Sequence, residues 1–102
     1  MNLILQQHRG ELGDLCLRFG VRRLEAFGSA TGGDFDQQRS DLDFLVEFHP
    51  CEPRAHYENY FGLLEALVDL FGRPIDLIEP QTIRNPIVRR RAEESRMLLY
   101  AA

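Results

Sequence analysis

The residues best placed to do chemistry are Gly28-Ser29 and, eleven residues after that serine, Ser40-Asp41-Leu42-Asp43, which heads the apolar run Phe44-Leu45-Val46. Side chains two apart on a strand point to the same face. Asp41 and Asp43 therefore stand side by side as like charges, a costly arrangement unless a cation lies between them. A third acid, Asp76, sits among apolar neighbours in Pro74-Ile75-Asp76-Leu77-Ile78. Taken alone, Asp76 reads as a solvated residue of an edge strand, and the Asp41/Asp43 pair as a solvated strand start. Taken together with a Gly-Ser turn, the three suit nucleotidyl transfer assisted by two Mg²⁺ ions, which stabilise the attacking and the leaving oxygen of an in-line displacement. In that chemistry Asp41 and Asp43 bridge the metals and Asp76 completes the site that activates the acceptor hydroxyl. Gly28 permits close backbone approach, and Ser29 can hydrogen-bond the terminal phosphates of a nucleotide.

Elements that could position these groups alternate along the chain. Leu5, Leu12, Leu15, Cys16 and Phe19 mark one face of a helix over 3–19, stopped by Gly20. Val21 to Phe27 reads as a strand and 29–39 as a polar turn. Asp41 to Phe48 is the second strand, with Leu42, Phe44, Val46 and Phe48 on the face opposite the aspartates. Tyr57, Tyr60, Phe61, Leu64, Leu67, Val68 and Phe71 recur at helical spacing, closed by Gly72 and Pro74. Ile75 to Ile78 is a short third strand. Asn85-Pro86 caps a helix running to about Ser95, and Met97 to Tyr100 adds a last strand. The order αβ(turn)βαβαβ predicts an α/β (α+β) fold: one domain over 1–102, a small mixed sheet with helices packed on it.

Composition narrows the alternatives. At 102 residues, 44% hydrophobic and with a net charge of −4, the chain has no broad basic surface for direct nucleic-acid binding. All 12 basic residues are arginine, so no lysine is available as a Schiff base or phosphate clamp. Cys16 and Cys51 make no disulfide framework, and His49, Cys51 and His56 read as loop residues flanking a helix rather than zinc ligands. No apolar stretch is long enough for a membrane span and no signal peptide is visible, so cytoplasmic residence is expected. Asp34-Phe35-Asp36 repeats the D-x-D pattern but lacks the glycine of a calcium loop and reads as a solvated turn. Arg89-Arg90-Arg91 reads as a solvated helix face, with contact to a triphosphate or an acidic partner as the alternative. Tyr57, Tyr60, Phe61 and Phe71, with Phe44 and Phe48, read as core from their spacing.

The ordered set Gly28, Ser29, Ser40, Asp41, Asp43 and Asp76 resembles the polymerase β-like nucleotidyltransferases. The short length resembles their minimal nucleotidyltransferase (MNT) branch, the antitoxin half of HEPN/MNT toxin–antitoxin pairs. The resemblance implies a polymerase β-like nucleotidyltransferase fold, with Gly28, Ser29 and Ser40 binding the nucleotide and Asp41, Asp43 and Asp76 binding two Mg²⁺. It implies transfer of AMP from ATP to a hydroxyl, typically a tyrosine, of a HEPN-type RNase toxin in a hetero-oligomer. Many members carry an arginine shortly after the Gly-Ser pair, where this chain has Ala30-Thr31. The phosphate contact is then either missing or supplied by Arg39 or another arginine. Two other readings stay open: an antitoxin that neutralises by binding alone, and a nucleotidyltransferase for a small molecule such as an aminoglycoside. A single small domain offers few walls for two ligands, which favours a protein acceptor.

Overall fold

The computed structural model describes residues 3–28 and 42–102. The N-terminal helical stretch comes as two pieces, α1 (Leu3–Gln7) and α2 (Arg9–Arg18), separated at His8. The expected single helix over 3–19 is thus interrupted, yet its apolar face survives: Leu5, Leu12 and Cys16 are fully buried. Strand β1 (Val21–Phe27) follows, then β2 (Leu42–Phe48), helix α3 (Pro53–Phe71), β3 (Ile75–Ile78), a 3-10 turn at Pro80–Thr82, helix α4 (Pro86–Ser95) and β4 (Met97–Ala101). Helix α4 begins as its sequence implies. Asn85 accepts a hydrogen bond from the Ile87 backbone N–H at 2.9 Å, and Pro86 takes the first turn, where its missing N–H costs nothing.

The sheet runs β3-β2-β1-β4. β1 pairs antiparallel with both β2 and β4, while β2 and β3 run parallel, joined by the crossover helix α3. This is the mixed sheet expected from the order of elements. Alternation along β2 sends Leu42, Phe44 and Val46 into the main core, with Leu24 and Ala26 of β1, Leu63 and Leu67 of α3, and Leu12 and Cys16 of α2. Phe48 packs partly buried against it. The opposite face carries a much smaller apolar cluster, Phe27, Leu45 and Ile83 with Ile78 packed on it. One close approach fixes how α3 seats: a Cβ at Gly62 would lie 2.5 Å from the Phe19 ring, so the helix backbone meets that ring only at a glycine.

The aromatic stripe on α3 departs from expectation. Tyr60 and Phe71 pack partly buried against the core, but Tyr57 is 65% and Phe61 48% exposed. Reading all four as core fails because the helix buries a narrow stripe centred on Leu63 and Leu67. Phe61 leans instead on its helical neighbours, with ring centroids 4.7 Å from Tyr57 and 5.0 Å from Tyr60.

Candidate active site

Three neighbouring strands bring the described members of the expected site to one end of the sheet. In the parallel ladder Asp43 pairs with Asp76, and across the antiparallel ladder Asp43 pairs with Phe27. Paired positions share a face, so both carboxylates rise on the side of the small Phe27/Leu45/Ile83 cluster, from strands about 4.8 Å apart. Asp43 is half-buried and Asp76 exposed. β3 is the edge strand of the described sheet, so the solvated-edge reading of Asp76 is right about its exposure. The register adds what that reading lacked, a second carboxylate alongside it.

Gly28 follows β1 and lies directly against Asp43. Its φ of 72° lies in the left-handed region, and a Cβ built there would stand 2.7 Å from Asp43 Oδ2. Any side chain at this position would be both strained and in collision with the carboxylate. The Gly28 backbone thus lies close against the Asp43 carboxylate. Hard oxygens on adjacent strands suit Mg²⁺, which takes carboxylates for part of its shell and keeps room for water and phosphate. The residues present fit such an ion.

Ser29, Ser40 and Asp41 lie outside the described residues, as do the turn at 29–39, Arg39 and the Asp34-Phe35-Asp36 pair. Among the described residues, no group of three His, Cys, Asp or Glu side chains could hold a metal, which also bears on His49, Cys51 and His56. Cys51 is exposed with a free thiol, and His56 is engaged with Glu79, its Nε2 2.6 Å from Oε1. Arg89 and Arg90 are exposed on α4, with Arg89 donating to the Ile83 carbonyl at 2.9 Å.

Sequence reasoning missed one group on this face. Glu25, 5% exposed, pairs in register with Leu45 and so lies two residues down the strand from Phe27. Arg96 grips it with two hydrogen bonds (Nε to Oε2 at 3.0 Å, Nη2 to Oε1 at 2.5 Å), and Arg23 Nε donates to Oε1 at 3.1 Å. Hydrogen bonding from Arg96, outweighing the opposing effect of burial, holds the Glu25 carboxyl below the usual glutamate range. The clamp ties the α4–β4 junction to β1. A cavity of about 160 Å³ beside it is lined by Pro80, Ile83, Arg89, Glu93 and Arg96. The available signal was an acid inside an otherwise apolar strand ending, Leu24-Glu25-Ala26-Phe27.

Comparison with known proteins places these features in a family. Residues 6–99 match the model of the nucleotidyltransferase domain. A Methanocaldococcus jannaschii relative, provisionally named a protein adenylyltransferase, is 33% identical over 97 residues, covering 95% of this chain and 90% of its own. The protein adenylyltransferase MntA of Thermococcus cleftensis is 34% identical over 86 residues, covering 84% and 80%. Among solved structures, a toxin–antitoxin complex with AMP-PNP superimposes with a TM-score of 0.67 at 15% identity, over 92% of this chain and 73% of the other. The family match spans nearly the whole chain: this protein is a member of the nucleotidyltransferase domain family, on its minimal, MntA-like branch.

Proposed function

We propose that this chain transfers AMP from ATP to a hydroxyl group of a partner protein and thereby acts as an antitoxin. The observation that carries the reading is the register of Asp43 with Asp76, beside a glycine whose positive φ and close approach to Asp43 Oδ2 disfavour any side chain. Support for the donor and the acceptor comes from relatives named protein adenylyltransferases. A solved complex of similar fold, at 16% identity and a TM-score of 0.58, holds a tri-AMPylated HEPN toxin of Shewanella oneidensis with its MNT antitoxin. A HEPN-type RNase is accordingly the proposed partner and a tyrosine the proposed acceptor.

In this mechanism Asp41, Asp43 and Asp76 would hold Mg²⁺, two ions being expected, which would supply charge neutralisation at the attacking and leaving oxygens. The protein's own groups do the rest. Gly28 lets the backbone approach the triphosphate, and Ser29 and Ser40 hydrogen-bond it at the turn. Asp76, the more exposed carboxylate, faces the incoming acceptor, orients its hydroxyl and takes up the proton. The acceptor oxygen bonds to the α-phosphorus as the bond to pyrophosphate breaks. The partner protein supplies a wall of the acceptor site and excludes water from the attack.

The test is the intact mass of the protein encoded beside this one, after co-expression with wild type and with Asp43→Asn. One or more added AMP groups, present with wild type alone, are expected. An unmodified partner that still co-purifies would replace transfer with neutralisation by binding. An unmodified partner that does not bind would return the acceptor to a small molecule.

A further inference from the structure

A second recognition feature lies about 10 Å along β3 from Asp76, beyond the C-terminal end of that strand. An open cavity of about 350 Å³ is lined by Pro53, His56, Tyr57, Tyr60, Phe61 and Glu79. Its aromatic wall combines the exposed Tyr57 and Phe61 with the half-buried Tyr60, and the Tyr60 and Phe61 rings meet at 79°, forming a corner. Opposite stands Glu79, whose side chain is only 16% exposed. The donors to that carboxylate, His56 at 2.6 Å and Gln81 at 3.5 Å, both reach Oε1. Oε2 has no donor among the described residues. The Tyr60 hydroxyl, bonded to the Leu77 carbonyl, has its pKa raised by burial first and then by the charges of Glu79 and Asp76.

Ring faces carry negative potential, and Glu79 Oε2, with no donor among the described residues, is an open acceptor, so the corner suits a cation. A phosphate or carboxylate ligand would meet Glu79 at close range. The positive end of α3 opposes a cation by roughly half a charge, and Glu52 at the helix cap offsets it, while Glu58 is taken up by Arg54 at 3.4 Å. The whole chain, at −4, has the same sign.

We propose that this pocket is an exosite that takes the guanidinium or ammonium group of an arginine or lysine on the acceptor protein, docking it while Asp43 and Asp76 face the hydroxyl. Only the identity of the cation's carrier rests on the transfer reading; the pocket chemistry stands without it. A long basic side chain lays its methylenes on Tyr57 and Phe61 and delivers its charge to Glu79 Oε2. Distance from the reacting end makes the contact one of binding, not of chemistry.

The probe is N-acetyl-arginine amide, with N-acetyl-citrulline amide as its neutral isostere, titrated into the full chain while the tyrosine ring resonances are followed by NMR. The chain has three tyrosines, and two of them line the pocket. Saturable shifts at Tyr57 and Tyr60 with Tyr100 unmoved are expected, at least about fivefold tighter for arginine than for citrulline. Glu79→Gln, which still accepts from His56, should weaken arginine binding about tenfold, and Phe61→Ala about fivefold. Asp43→Asn should bind the probe as wild type does, which separates this site from the catalytic one. Equal affinity for citrulline, shifts that include Tyr100, or no saturation by about 100 mM probe would each overturn the proposal. With the acceptor protein itself, Glu79→Gln should raise KM several-fold and leave kcat unchanged. A fall in kcat at constant KM would contradict a docking role.

Discussion

The two faces of the sheet are unequal, and the inequality separates folding from chemistry. One face, with Leu24, Ala26, Leu42, Phe44 and Val46, is sealed by α2 and α3 into the main core. The other holds Phe27, Leu45 and Ile83 as a thin apolar layer and carries Glu25, Asp43 and Asp76. Period-two alternation makes both faces from the same strands, so neighbours one residue apart answer to different constraints. On the thick face a substitution should be felt as lost stability. On the thin face it should be felt as lost transfer, because a half-exposed carboxylate adds little to folding and like charges oppose it.

The largest effects should divide along this line. Phe44→Ala removes a fully buried ring and should cost about 4 kcal/mol, read from the urea midpoint. Asp76→Asn, one strand away, should leave that midpoint within about 0.5 kcal/mol of wild type while slowing AMP transfer at least about a hundredfold. A large midpoint shift for Asp76→Asn would break the comparison. Gly28→Ala sharpens it, since the added methyl meets Asp43 Oδ2. It should weaken nucleotide binding at least about tenfold and cost about 1–2 kcal/mol of stability, the latter from the positive φ.

Glu25 is the exception on the thin face and should give an intermediate effect. Its carboxyl titrates below the usual glutamate range in the folded state. It therefore stabilises fully above the unfolded-state value, and that stabilisation is lost as the pH falls through the lower, folded value. Glu25→Gln should lower stability near neutral pH by about 2 kcal/mol and flatten the acid side of the stability–pH curve. An unchanged acid limb would show the Arg96 clamp to be energetically idle. The smallest effect is chemical. Burial raises the Cys16 thiol to about 12, so an alkylating reagent should label Cys51 rapidly and Cys16 only on unfolding.

Much of this division was legible in the sequence because it follows from alternation alone. Leu42, Phe44 and Val46 against Asp43 is a pattern that only a strand with one buried face satisfies. The Asn85-Pro86 cap and the order of elements were equally local. The register of Asp43 with Asp76 was not, since they lie 33 positions apart with the crossover helix α3 between them, and pairing depends on how that helix packs. Helical spacing marked Tyr57 and Phe61 as apolar but carried no information on how wide a stripe the sheet would cover. Glu25 and Arg96 are 71 positions apart, and their pairing needs β4 beside β1.

The most direct test of the account measures two quantities on one variant, Asp43→Asn: AMP transfer to the partner and the urea midpoint of the metal-free chain. Transfer should be abolished and the midpoint lowered far less than by Phe44→Ala, because Asp43 is a half-buried residue on the thin face, in register beside Asp76. Retained transfer, or a midpoint lowered as far as that of Phe44→Ala, would contradict it.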